Sequence, residues 1–218
     1  MRIRLTSEIM KTRLEKTTSR LAALFCAAFT TSLCFADEEG FKPLFDGKSL
    51  DGWKVSENKD SFKIEDGAMV ADGPRAHAFY AGEVNGAKFK NFELRLEAMT
   101  RKSSNGGVFF HTEYQEKGWP GKGYEIQVNN TQGDWRKSGG LYAVVDNKEP
   151  FEDDKWMEMV IRVENGVITS TVNGKKLVEH KAEDGKSKLL PEGGTIALQA
   201  HDPGSKVHYR NIRIKVLD

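Results

Sequence analysis

An all-β fold, a sandwich or barrel of antiparallel strands, is predicted for residues 37–218 by three observations. Apolar residues recur at period two, the spacing of a half-buried strand, and no window sustains a helical stripe. Asp-Gly and Asn-Gly pairs punctuate the chain at Asp46-Gly47, Asp51-Gly52, Asp66-Gly67, Asp72-Gly73, Asn165-Gly166 and Asn173-Gly174. No helical segment is interleaved between the strands, as a βαβ fold would require.

The first element is of another kind. Of the 218 residues, the first 36 read as a signal peptide, with Arg2, Arg4, Lys11, Arg13, Lys16 and Arg20 ahead of the apolar run Leu21 to Leu33. Cys34-Phe35-Ala36 ends in a small residue, which places cleavage after Ala36. The apolar run is too short to span a bilayer, an uncleaved anchor being the alternative. Export to the periplasm or the extracellular space is therefore expected, with no membrane association after cleavage. No lipoprotein pattern appears, since Cys26 follows Phe25 and Cys34 follows Leu33.

Beyond Ala36 the predicted strands are Phe62 to Ile64, Ala68 to Ala71, Phe92 to Met99, Gly107 to Thr112, Tyr124 to Asn129, Trp156 to Glu164, Val167 to Val172, Lys176 to His180, Thr195 to Ala200 and Val207 to Val216. Asn165-Gly166 and Asn173-Gly174 each sit between alternating runs, so Trp156 to His180 is expected to be a three-stranded meander. No repeat or linker divides the domain. Gln115 to Gly123 and Thr131 to Gly140 are predicted to be long loops, where binding groups commonly reside.

Composition excludes several functions. Both cysteines precede residue 37, so the remaining domain has neither disulfides nor thiolate metal sites. That domain carries 27 basic against 30 acidic residues, with no basic stripe, which argues against a nucleic-acid partner.

Strand parity groups the candidate functional residues. In Tyr124 to Asn129, the residues Glu125, Gln127 and Asn129 share a face; Phe109 and His111 share one if Val108 and Phe110 are core; Ala197, Gln199 and His201 share a third. A solvated sheet face would also be polar. Such faces usually resemble Glu93-Leu94-Arg95-Leu96-Glu97, however, whereas planar amides, a carboxylate and an aromatic suit the hydroxyls and ring faces of a sugar. Trp119, Trp135 and Tyr142 are candidate platforms from the loops, or ordinary packing. His111, His201 and Glu125 also have metal-ligating side chains, but without local ligand spacing, so no metal site is assigned and a divalent cation is left open. Arg210 either turns inward or forms a structural ion pair. His77, His180 and His208 have no clustered partners in sequence and are read as ordinary. A double-displacement glycosidase needs two carboxylates; a Glu-x-Asp-x-x-Glu strand beginning at Glu125 is ruled out by Gln127 and Asn130.

Several phrases occur together in order: Phe41-Lys42-Pro43-Leu44-Phe45-Asp46-Gly47, Leu50-Asp51-Gly52-Trp53, Asn105-Gly106-Gly107-Val108-Phe109-Phe110, Gly123-Tyr124-Glu125-Ile126-Gln127, Val172-Asn173-Gly174 and Tyr209-Arg210-Asn211-Ile212-Arg213-Ile214-Lys215. This set resembles the bacterial 3-keto-disaccharide hydrolases, or 3-keto-glucoside 1,2-lyases and 3-keto-2-hydroxy-glucal hydratases, over nearly all of residues 37–218. The resemblance implies a concanavalin A-like jelly roll of two antiparallel sheets and a small glycoside or oligosaccharide substrate. It implies elimination, not nucleophilic displacement: the C3 ketone acidifies the C2 proton, a base removes it, the C1 substituent leaves, and water adds back. Glu125, His111 and His201 are then the candidate catalytic residues, with Arg210 or a bound cation to polarise oxygen. Gln127, Gln199, Arg210, Asn105, Phe109, Trp135 and Tyr142 are the candidate substrate contacts. His111 stands where relatives carry Arg, a change that could supply the base, alter substrate choice or mark a member that binds without turnover. A lectin-like module and a purely structural sandwich are the alternatives.

Overall fold

The computed structural model describes residues 39–183 and 185–218. The predicted signal segment and both cysteines lie outside the described residues. Fifteen strands are found among those described: β1 (Lys42–Pro43), β2 (Trp53–Val55), β3 (Phe62–Glu65), β4 (Ala68–Asp72), β5 (Ala76–Tyr80), β6 (Phe92–Thr100), β7 (Asn105–Thr112), β8 (Tyr124–Asn129), β9 (Lys137–Leu141), β10 (Val145–Asn147), β11 (Met157–Glu164), β12 (Val167–Val172), β13 (Lys175–Lys181), β14 (Thr195–Ala200) and β15 (Lys206–Val216). Two short 3-10 turns are the only helical segments described, and among the described residues no helix is long and apolar enough to cross a membrane.

The strands form two antiparallel sheets. One runs β13-β12-β11-β6-β15-β4-β3, with β1 also paired to β15; the other runs β10-β9-β8-β7-β14-β5-β2. Alternation generates both. On β11, Met157, Met159, Ile161 and Val163 are buried while the residues between them face outward. On β6, Phe92, Leu94, Leu96 and Ala98 do the same. These side chains meet Val108, Phe110, Ile126, Val128, Ile196 and Leu198 of the second sheet in one continuous core. The meander β11-β12-β13 is present, and its turns place Asn165 and Gly166 at φ 50° and 76° and Asn173 and Gly174 at the same two values. Positive φ at both central residues is the twist a two-residue hairpin needs, and Asn-Gly adopts it at least cost.

All ten predicted strands are present, but five more are not evident from alternation. β1, β2 and β10 have only two or three residues. β5 is buried at every position, and β9 contains Gly139 and Gly140, so neither shows a polar-apolar rhythm. The expected loop from Thr131 to Gly140 accordingly ends at Lys137, where β9 begins.

Candidate active site

The outer face of the second sheet carries two rows of side chains across β5, β14, β7 and β8. Register pairs Phe79 with Ala197, Ala197 with Phe109, and Phe109 with Glu125, which makes the first row. His77 opposite Gln199 and Gly107 opposite Gln127 form the second. A cavity of about 450 Å³ opens over these rows, within the usual range for a small-molecule site. Glu125, Gln127, Gln199, Asn105 and Phe109 line it together with His201, Trp119, Asp134, Tyr142 and Lys188.

Glu125 reaches across β7 because residue 107 is a glycine. A Cβ at Gly107 would lie 2.1 Å from Glu125 Oε1 and 2.9 Å from its Cδ. In that space Gln199 Nε2 donates to Glu125 Oε1 at 3.1 Å. Burial of the carboxyl outweighs this stabilising hydrogen bond, and the Asp134 charge adds to the effect, so Glu125 is pushed up to about 8. At neutral pH the group is therefore mostly a neutral acid. A proton carried on Oε2 leaves Oε1 to accept from Gln199.

Three buried polar atoms of cavity-lining side chains have no protein hydrogen-bond partner among the described residues: Asn105 Oδ1, Gln127 Nε2 and Gln199 Oε1. Each such atom costs free energy unless a ligand or water meets it. At the end of β14, the His201 Nδ1 nitrogen hydrogen-bonds Asp202 Oδ2, which also accepts from Ser205 Oγ at 3.0 Å. A carboxylate on Nδ1 selects the tautomer with its proton there, and Nε2 is left as the basic nitrogen.

Two pinned loops form the rim. Gln115 Nε2 donates to the carbonyls of Lys117 and Trp119, both at 2.7 Å, and Gln115 Oε1 accepts from Gly121 N at 2.9 Å, which presents the 46% exposed Trp119. On the other side, Asn129 Nδ2 donates to the Asp134 and Arg136 carbonyls at 2.9 and 2.8 Å. That turn carries Asp134, and the Arg136 guanidinium stacks on Tyr142 at 4.7 Å.

Three sequence expectations are corrected. His111 does not share the face of Phe109. Between Ala197–Phe109 and Thr195–Thr112, β7 contains one residue more than β14, and this bulge holds His111 at φ 52°. Its ring lies 6.1 Å from Phe92, with Nε2 bonded to the Lys90 carbonyl at 2.9 Å and Nδ1 accepting from Leu190 N at 3.0 Å. Arg210 lies on β15 in the opposite sheet, donates to Glu97 at 2.7 Å and stacks on Trp156 at 3.9 Å, so the ion-pair alternative holds. Trp135 stacks on Arg136 at 4.6 Å and does not line the cavity. Conversely, Asp134, Asp202 and Lys188 were not singled out, and His77 was read as ordinary. Only Asp202, adjacent to His201, had a readable signal.

Among the described residues, no group of three or more His, Cys, Asp or Glu side chains is arranged to hold a metal ion. The chain is 28% identical over 237 aligned positions to a 3-keto-disaccharide hydrolase of Bacteroides thetaiotaomicron, covering 84% of this chain and 80% of that protein. A glycosyl hydrolase-like structure from Parabacteroides distasonis superposes with a TM-score of 0.66 at 24% identity, covering 83% and 95% of the two chains. A Bacillus subtilis protein with a galectin-like fold gives 0.58 at 11% identity, covering 80% and 94%. Both share the jelly-roll architecture. Residues 40–215 match the family described as the 3-keto-alpha-glucoside-1,2-lyase-like domain, and the chain belongs to that family.

Proposed function

We propose that the chain is an exported enzyme that cleaves 3-keto-glycosides by elimination across C1–C2 and then hydrates the product, for net hydrolysis. The observation that carries this reading is one cavity holding a carboxyl group kept neutral at physiological pH and an imidazole oriented by a carboxylate. The lyase-like family and the hydrolase relative support it.

Asp202 holds the Nδ1 proton of His201, so Nε2 takes the proton from C2. The C2–H electrons become the C2=C3 bond, and charge moves to the C3 oxygen. Glu125 meets that oxygen as a neutral donor in a water-poor site, where such stabilisation is large. Electrons then return to restore C3=O as C1=C2 forms and the glycosidic C1–O bond breaks. The leaving oxygen takes the proton held by His201. In hydration, water adds its oxygen to C1 and C2 regains a proton through His201, giving the 3-keto sugar. Asn105, Gln127 and Gln199 supply unpartnered amide atoms for the ring hydroxyls.

Exposed Trp119 and Tyr142 at the rim favour a second reading, a carbohydrate-binding module without turnover. Product release from a 3-keto-glucoside panel separates the two, measured with chelator and with added divalent cations in parallel. The enzyme reading expects release by the wild type and at least a 100-fold loss in Glu125→Gln with binding retained. Saturable binding without release by the wild type would establish the module instead.

A further inference from the structure

Directly beside Gln199, on the neighbouring strand, His77 is fully buried, and neither ring nitrogen has a hydrogen-bond partner among the described residues. Aromatic rings hem it in: Phe109 at 5.3 Å, Trp119 at 5.6 Å and Phe79 at 6.1 Å. Burial pushes its basicity down to about 4, so the imidazole is neutral and offers one N–H donor and one acceptor. Cross-strand partners bring their Cβ atoms to roughly 5 Å. Gln199 is the cross-strand partner of His77 and keeps Oε1 unpartnered while its Nε2 donates to Glu125, so orphaned polar atoms stand on two adjoining side chains of one sheet face.

A polar imidazole sealed under aromatics serves packing poorly, since phenylalanine would fill the space without unmet hydrogen bonds. Its chemistry fits a ligand group able to donate and accept at once. A hydroxyl does both, donating to Gln199 Oε1 and accepting the His77 N–H. A ketone oxygen only accepts, and would leave Gln199 Oε1 unmet. Trp119 covers His77 edge-on and also lies against His201 at 5.2 Å and under the Arg75 guanidinium at 5.1 Å, yet is itself 46% exposed, so the half-exposed indole on a rim loop, not the sheet, separates the imidazole from the cavity.

We propose that His77 and Gln199 form a hydroxyl-reading subsite beneath Trp119, and that His77 is a specificity-determining residue: it selects a ring hydroxyl flanking the keto carbon and so directs that carbonyl toward Glu125. The inference rests on the 3-keto-glycoside reading above.

Calorimetric binding of methyl 3-keto-α-glucoside and its 2-, 4- and 6-deoxy analogues tests it, in the Glu125→Gln background so that the result does not depend on turnover. The 2-deoxy or the 4-deoxy analogue, and not the 6-deoxy one, is expected to bind about tenfold more weakly when His77 is present, the effect of one lost hydrogen bond, and a penalty at C6 alone would overturn the proposal. That penalty is expected to vanish in His77→Phe, which fills the site, and to return in part in His77→Gln, which restores a donor and an acceptor. The same deoxy penalty in His77→Phe as in the parent would overturn the subsite, as would equal binding of all analogues by the parent or no binding of any glycoside. Failure of the reaction reading shows separately, as wild type that binds with the deoxy penalty but releases no product. Should His77→Phe not fold, the His77→Gln comparison decides alone: a penalty unchanged when the imidazole is replaced and the ring nitrogens are gone would overturn the proposal.

Discussion

Glu93 and Glu125 both project from the outer faces of their strands, yet the two faces treat a carboxyl group in opposite ways. Around Glu93, burial raises the carboxyl but hydrogen bonds from Arg95 and Arg162 outweigh it, and the group sits below its ordinary range. Arg162 continues to Glu164 at 2.9 Å, Arg210 and Asn211 share Glu97, and Lys63 and Lys206 both bridge Glu65 and Asp72. Around Glu125 an amide donor and the negative Asp134 act on the carboxyl in place of a paired cation, and burial prevails. One face is a closed set of ion pairs. The other holds orphaned amides, a neutral acid and an imidazole held through Nδ1 by a carboxylate. Polar groups satisfied by each other contribute to stability, whereas polar groups left for a ligand contribute to chemistry.

Substitutions on the two faces should therefore separate activity from stability. The largest effect is expected at Gly107. In Gly107→Ala the new methyl occupies the position of Glu125 Oε1, so the carboxyl must swing away and the Gln199 bond is lost. Turnover should fall about 100-fold, comparable with loss of a positioned acid, while thermal unfolding monitored by circular dichroism stays within a few degrees. Wild-type turnover in this variant would break the contrast between the faces.

Asp202→Asn should cost roughly tenfold to 100-fold in kcat with little change in KM, since it disturbs the His201 tautomer and not substrate contact. A change confined to KM would remove His201 from the proton path and leave it as a binding residue.

Stability against pH sharpens the comparison further. The folded-state carboxyl of Glu125 titrates near 8, above its ordinary 4.5. The native state thus binds the extra proton between those values, and the contribution of this group to stability falls as pH rises through the window. Glu125→Gln lacks the titration. It should gain on the order of 4 kcal/mol relative to wild type between pH 5 and pH 9, about three pH units at ~1.4 kcal/mol each, read from denaturant unfolding at both ends. Parallel pH profiles for the two proteins would place the carboxyl in ordinary solvation.

The smallest effect belongs to the ion-paired face. Arg162→Ala should destabilise by about 0.2–1 kcal/mol, less at high salt, and leave turnover unchanged.

How much of this was readable from residues alone depends on which rules the chain obeys. Parity holds through β8 and β14, so Glu125, Gln127, Gln199 and His201 were assigned together and all line the cavity. It fails at His111, because a bulge inserts a residue that no alternation rule registers. Arg210 was carried into the site by the family resemblance alone, its own strand leaving an ion pair open, and β15 pairs with β6 and β4 on the far side of the sandwich. His77 was read as ordinary because the Ala76–Tyr80 strand is buried on both faces and shows no rhythm that would group it with Gln199. The reach of Glu125 across Gly107 depends on a register that only the folded sheet fixes.

The central claim is that cleavage passes through loss of the C2 proton, and turnover in deuterium oxide tests it most directly. Elimination followed by hydration should leave one deuterium at C2 of the released 3-keto sugar, accumulating with product, and none at C4. Released sugar carrying only hydrogen at C2, under conditions where the product itself does not exchange, would contradict the account and indicate direct hydrolysis.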